Sequence, residues 1–249
     1  MRGSGSLLFS LLEKTILVTG ASRGNGLAIC KGLTDHGASV IGLDKAPNDD
    51  AGFPIFEVDL TNRDKTSALL KQLILEFGSI HGLVNNAGVS LASDDPYNDA
   101  DVYEKTLSIN LNAVFHLSSL FCAHTTKSRS GGSIINITSL GAEQGFPDNP
   151  SYQISKAGVK QMTKAFACDW GGKGIRVNNI CPGYIKTSMT EGSFNDPILN
   201  QQRRGRTMLN RWGESSDLIG AAVFLLSDAS SYITGSTIYV DGGWTSKGF

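Results

Sequence analysis

The sequence predicts a doubly wound α/β fold, about seven parallel strands with helices on both faces, on three observations. Short, continuous apolar runs alternate with longer stretches of helical periodicity along the chain. Glycine is abundant at 29 residues, as many tight strand-to-helix turns require. A glycine-rich segment joins the first apolar run to the first helical one.

The strand-like runs are 15–19, 39–43, 55–59, 82–85, 133–138, 176–180 and 237–240. Most are apolar throughout rather than alternating, the pattern of strands buried on both faces. Helical patterns fall at 26–36, 63–77, 101–127, 151–170 and 215–226. Strand–helix–strand repetition calls for a parallel sheet with right-handed crossovers. A β/α barrel is the alternative, but it needs eight units. No linker-like stretch divides the chain, so 7–249 reads as one domain. Residues 1–6 read as an expression-tag scar.

Composition is that of a soluble globular protein, 40% hydrophobic and 18% charged. A net charge of -1 gives no field that attracts nucleic acid or an anionic membrane. No apolar stretch approaches the ~20 residues of a membrane helix, and the apolar run 7–12 is too short for a signal core. Cys30, Cys122, Cys168 and Cys181 form no C-x-x-C pair, and His36, His81, His116 and His124 complete no metal-ligand spacing. The expectations are therefore no metal, free thiols, and a reducing cytoplasm. Arg203, Arg204 and Arg206 form a basic run expected to be a solvated loop.

The segment Thr19-Gly20-Ala21-Ser22-Arg23-Gly24-Asn25-Gly26 follows the first strand and opens the first helix. Gly20 suits the tight turn, Gly24 a close backbone approach to pyrophosphate, and Gly26 close helix–sheet packing. The helix N-terminus offers free N–H groups to phosphate. Asp44 ends the second strand, where a carboxylate accepts from both adenosine ribose hydroxyls and repels a 2′-phosphate. NAD is expected over NADP, with Arg23 and Lys45 as the opposing residues.

With Asp59-Leu60 after the third strand, Asn85-Asn86-Ala87-Gly88 after the fourth, Asn110, Ser139, Tyr152-x-x-x-Lys156, and Pro182-Gly183 with Thr187, the chain resembles the short-chain dehydrogenase/reductase family over nearly its whole length. The resemblance implies a Rossmann-type sheet, a bound nicotinamide dinucleotide, and interconversion of alcohols and ketones. It implies that Asp59 meets the adenine amino group with Leu60 beside it, and that Asn86 and Gly88 line the cofactor crevice. Ile185 and Thr187 would hold the nicotinamide carboxamide, and Asn110 would hold a water linking Lys156 to solvent. Asn25 departs from the family's aliphatic residue, and altered local packing is expected there.

Tyr152 and Lys156 are one helical turn apart on one face. A free tyrosine, with pKa about 10, is a poor base at neutral pH. An ammonium about 4 Å away stabilises phenolate by up to about 4 kcal/mol, lowering the pKa by up to about three units. Such a pair suits general acid–base transfer. Ser139 ends the fifth strand at its carboxyl end, where doubly wound folds place their sites, and its hydroxyl can serve a developing alkoxide.

Segment 189–211, polar and weakly periodic, reads as a substrate lid, and Phe146–Pro150 as another pocket wall. Asp241-Gly242-Gly243-Trp244 most resembles relatives acting on sugars, sugar acids and polyols, or on 3-oxoacyl chains. The leading expectation is a polar sugar, sugar acid or polyol as small-molecule partner. The alternatives are an NADPH-dependent 3-oxoacyl reductase and a non-catalytic dinucleotide-binding regulator. Apolar residues on the two long helices, including Phe115, Leu120, Phe121, Phe166 and Trp170, suggest a homotetramer or homodimer, as family members commonly form.

Overall fold

The computed structural model describes residues 8–128 and 131–248; the expected tag scar 1–6 lies outside the described residues. The strands are β1 (Thr15–Thr19), β2 (Ser39–Asp44), β3 (Ile55–Glu57), β4 (Gly82–Asn85), β5 (Gly132–Ile137), β6 (Ile175–Pro182) and β7 (Thr237–Val240). They form one sheet in the order β3-β2-β1-β4-β5-β6-β7, parallel at every pairing. This is the Rossmann-type arrangement the sequence predicts. The order reverses between β1 and β4, and that switch opens a crevice at the carboxyl ends of the strands.

Alternation along each strand divides the core. Ile16 and Val18 face one layer, with Ile29, Leu33, Val223 and Leu226. Leu17 faces the other, with Leu70, Leu73, Leu117, Phe121 and Phe166. The first layer brings helix α1 (Gly24–Asp35) beside a later apolar helix, Ile219–Leu226. The second holds α2 (Arg63–Phe77), α3 (Ala100–Leu107), α4 (Ala113–Ser128) and α5 (Pro150–Trp170). Each fully buried aliphatic side chain contributes roughly 1.5–3 kcal/mol, so the two layers together set the sheet's position.

Helix starts follow side-chain chemistry. Asn62, Asp99 and Asn149 each accept a backbone N–H three residues on, from Lys65, Val102 and Tyr152. The expected helix over 101–127 is interrupted by a π-turn, Ser108–Asn112, which carries Asn110. Such a turn re-aims side chains at functional sites. The expectation of no membrane-length apolar segment also needs correction, because Ala100–Ser128 passes on length and hydropathy. Val114, Leu117, Phe121 and Cys122 bury its inner face in the fold, as in a core helix.

The third expected strand stops at Glu57. Segment 189–211 is more regular than expected: it contains helices α6 (Glu191–Asn195) and α7 (Pro197–Arg206). The arginine run therefore lies on α7, not in a solvated loop. Cys30, Cys122 and Cys181 are buried free thiols, and Cys168 is exposed.

Candidate active site

The glycine loop is fixed by contacts with its neighbours. Gly20, at φ +66°, donates its N–H to the Leu43 carbonyl at 2.8 Å. A side chain on Gly26 would stand 1.9 Å from the Gly20 carbonyl oxygen, so the loop's own closure requires this glycine. Gly24 is demanded by its φ of +53°, since a side chain there would meet only Thr187, at 3.6 Å. Asn86 sends its amide N–H groups to the Thr19 and Gly20 carbonyls at 3.0 and 3.1 Å. The Thr19 hydroxyl accepts from the Asn86 and Ala87 N–H groups. Asn86 thus ties β4 to the loop as well as bordering the crevice.

Arg23 precedes α1 without capping it by its side chain, and the first turn holds no acidic residue. The first-turn N–H groups are left to an anion, which fits a dinucleotide pyrophosphate. Asn25 accepts from the Ser215 hydroxyl at 2.8 Å, so the family departure anchors α1 to the turn Ser215–Leu218.

At the end where the sequence expects the adenosine, Asp44 accepts from the Ser22 and Ala46 N–H groups at 3.0 and 3.1 Å. Lys45 is bonded to Asp59 at 2.8 Å. That bond and two from Thr61 hold the Asp59 carboxyl down at about 2. Leu60 packs on the second core layer. At the end expected to take the nicotinamide, Gly183 donates to Val240, beside Pro182, and a side chain on it would strike the Asp241 Cα at 2.7 Å. Ile185 is buried and bridged to Gly213; Thr187 and Thr190 close the following turn. Thr187 is also the side chain facing Gly24, so the turn after β6 borders the glycine loop there.

Ser139, Tyr152, Lys156 and Asn110 gather at the end of β5. Ser139 follows β5 in extended conformation, and its hydroxyl accepts from the Gly141 N–H. Tyr152 lies in the first turn of α5, set by the Asn149 cap and Pro150. Lys156 is buried and donates to the Ile137 carbonyl at 2.8 Å. Asn110 is buried rather than exposed: it exchanges two 2.8 Å bonds with the Val89 backbone and donates to Ser155. Ser155 in turn donates to the Tyr152 carbonyl. Gly88 permits this packing, since a side chain there would press on Asn110 and Lys156 at 3.2 and 3.4 Å.

One expectation changes. Lys156 Nζ is 5.8 Å from the centre of the Tyr152 ring and bonds elsewhere. Burial raises the Tyr152 phenol above its ordinary pKa, the Ser139 hydroxyl pulls it back, and Cys181 pushes it up. The lysine therefore does not by itself bring the tyrosine into the neutral range. Burial also lowers Lys156 to about 8, against a smaller opposing effect from Cys181.

Sequence reasoning missed two features. Glu143 pairs with Lys160 one turn beyond Lys156. Beside Phe146, which was expected to line a pocket, Tyr184, Trp212 and Trp244 stack into an unexpected aromatic wall. Asn149-Pro150, a cap residue before proline, was a readable signal for the start of α5; nothing local announces the wall. Among the described residues no group of three or more His, Cys, Asp or Glu could hold a metal ion.

A family model described as enoyl-(acyl carrier protein) reductase matches residues 20–245. A 2-dehydro-3-deoxy-D-gluconate 5-dehydrogenase of Pseudoalteromonas atlantica is 37% identical over 251 residues, covering 96% of this chain and 98% of that protein. A 3-oxoacyl-[acyl-carrier-protein] reductase of Chlamydia muridarum is 35% identical over 245 residues, covering 94% and 98%. The crystal structure of a gluconate 5-dehydrogenase from Burkholderia cenocepacia, in complex with NADP and tartrate, superposes with a TM-score of 0.92 at 31% identity, covering 98% and 100%. The fold and these matches define an NAD(P)-dependent oxidoreductase acting on CH–OH groups. The chain belongs to the short-chain dehydrogenase/reductase family.

Proposed function

We propose that this enzyme interconverts a secondary alcohol and a ketone on a sugar acid, with Tyr152 as acid–base, Ser139 and Lys156 as its partners, and Asn110 behind them. The meeting of Ser139, Tyr152 and Lys156 beside the glycine crevice carries this reading. Names of the relatives support the substrate class: a dehydrogenase of 2-dehydro-3-deoxy-D-gluconate and one of gluconate.

In oxidation the Tyr152 oxygen takes the substrate hydroxyl proton. The Ser139 hydroxyl donates to the substrate oxygen and steadies the developing alkoxide. Lys156 keeps a buried positive charge under the site below about pH 8 and supports the phenolate. Asn110 fixes the π-turn against Val89 and would hold a water linking Lys156 to solvent. A nicotinamide dinucleotide held by these residues would supply the hydride acceptor and, when oxidised, a further positive charge. Reduction reverses these steps.

Gly20 to Gly26 and the open N-terminus of α1 would take the pyrophosphate, with Ser22, Arg23 and Asn25 around it. Asp59 and Leu60 would take the adenine, Asn86 and Gly88 the crevice floor, and Pro182, Gly183, Ile185 and Thr187 the nicotinamide. The expectation of NAD over NADP rests on Asp44 alone, and Asp44 already accepts two backbone N–H groups. Arg23 forms no ion pair among the described residues, and the solved relative holds NADP. We therefore assign NADP as the leading cofactor, with NAD, favoured by Asp44, as the second. Residues 7–249 act as one unit, with 189–211 as its lid. The outward faces of α3–α4 and α5, where Phe115 and Ile154 are exposed, join copies into a dimer or tetramer. Its free thiols suit the cytoplasm.

The 3-oxoacyl reductase reading has the Chlamydia relative in its favour. Reduced-nicotinamide absorbance with each dinucleotide, against sugar acids, polyols and 3-oxoacyl thioesters, separates the readings. Turnover of sugar acids supports the proposal; turnover of 3-oxoacyl substrates alone overturns it. A non-catalytic regulator would turn over nothing.

A further inference from the structure

Of the α7 arginines, Arg204 and Arg206 are exposed, while Arg203 is half-buried. Arg203 lies with its guanidinium carbon 4.7 Å from the centre of the Tyr184 ring, and Arg206 lies 5.0 Å from that of Trp244. Among the described residues, no carboxylate pairs with Arg203, Arg204 or Arg206, although nearby Arg211 is paired with Asp217. Arg203 Nε is also buried without a hydrogen-bond partner. A buried, unsatisfied, charged donor is costly, and such a group in a fold calls for an explanation.

The aromatic wall leads from Arg203 to the reacting residues. Tyr184 follows Gly183 at the nicotinamide end of the crevice and stacks on Trp244 at 5.0 Å. Trp244 stacks on Phe146 at 6.4 Å. Gln153, the neighbour of Tyr152, bonds both the N–H and the carbonyl of Phe146. Leu140, next to Ser139, belongs to the same cluster. The wall thus connects Arg203 to Gln153 and Leu140, the chain neighbours of Tyr152 and Ser139.

An arginine whose face is covered by a ring keeps its edge N–H groups in the plane, the geometry that takes a carboxylate. The chain as a whole bears a charge of only -1, so attraction for an anion must be local, and three arginines on one short helix supply it. We propose that Arg203 selects the substrate by its carboxylate: the guanidinium edge takes the acid group of a sugar acid while Tyr184 supports its face. This rests on the sugar-acid reading above and assigns the residue that reads the acid.

The test compares the wild type with Arg203→Gln and Arg203→Lys. Initial rates are taken with D-gluconate and with its neutral counterpart D-glucitol, and L-tartrate binding to the enzyme–NADP+ complex is measured by calorimetry. Arg203→Gln should raise KM for gluconate roughly 10- to 100-fold, as loss of a charge-assisted bond does, with kcat little changed. Tartrate affinity should fall by a like factor, glucitol kinetics should not move, and Arg203→Lys should keep part of the affinity. Unchanged KM and tartrate affinity in Arg203→Gln overturn the proposal, and so does a loss of NADP+ binding, which would assign Arg203 to the dinucleotide. If the wild type oxidises no sugar acid yet binds tartrate through Arg203, the sugar-acid reading fails and the carboxylate site stands. If it does neither, both fail.

Discussion

Around β1, Gly20, Gly26, Thr19 and Asn86 lock one another through backbone contacts and short hydrogen bonds. Across the crevice, α6 and α7 contain no fully buried residue; α7 leans on Tyr184 and Trp244 through Arg203 and Arg206, and α6 on Trp212 through Phe194. One side is set by main-chain geometry, the other by side-chain stacking. The first suits a ligand whose phosphates always arrive in the same place. The second leaves room for the substrate to differ between relatives and for a lid to move. The proposed acid–base residues lie between them, just beyond β5 and on α5.

Removing the acid–base group is the largest break. Tyr152→Phe should lower kcat by about 10²–10⁴-fold, the usual share of general acid–base catalysis, and leave dinucleotide binding intact. Steady-state rates and a fluorescence titration with NADPH check both halves. Unaltered turnover would remove Tyr152 from the mechanism.

Glycine substitutions sharpen the comparison directly, because one change has opposite signs in the two regions. Gly26→Ala drives a methyl into the Gly20 carbonyl and should abolish dinucleotide binding and lower Tm. Gly205→Ala, within α7, meets nothing within 4 Å and should stabilise the protein by up to about 1 kcal/mol. Thermal unfolding of both variants decides it. A neutral Gly26→Ala would mean that the loop can reshape.

Lys156 gives a pH signature. Its pKa is about 8 in the fold against 10.5 as the ordinary value, so between those values the unfolded chain binds more protons. Wild-type stability should therefore gain as pH rises from 8 to 10.5, through relief of a burial cost present below 8. Lys156→Met lacks that cost, so its stability relative to the wild type should be best at pH 7 and worsen towards pH 10. Urea midpoints at the two pH values measure this; the opposite trend would mean that the ammonium has a stabilising partner.

The smallest effect belongs to the exposed Lys45–Asp59 pair. Its contribution is present above the ordinary carboxylate range and lost as pH falls towards about 2. Solvent screens it, so Asp59→Asn should shift the urea midpoint at pH 7 only slightly, and the gap should close near pH 2. A large loss at pH 7 would make Asp59 part of the loop's framework.

The same division explains what was legible beforehand. The glycine loop, the Tyr152–Lys156 spacing and the strand pattern were readable because each reflects local geometry: a positive φ, one helical turn, a strand buried on both faces. Asn110 was readable only as a resemblance, since its burial depends on a π-turn and on Val89, which is distant in sequence. The basic run was expected as a loop and is a helix, with Arg204 and Arg206 exposed as expected; the ring partners of Arg203 and Arg206 lie elsewhere in the chain.

The sequence by itself determined the sheet, the glycine loop and the one-turn spacing of Tyr152 and Lys156, since periodicity and steric demands act over a few neighbouring residues. Only the tertiary structure decided that Lys156 reaches Ile137 and that burial raises Tyr152. It alone also placed Arg203 on Tyr184, because desolvation and side-chain contact are properties of the packed chain.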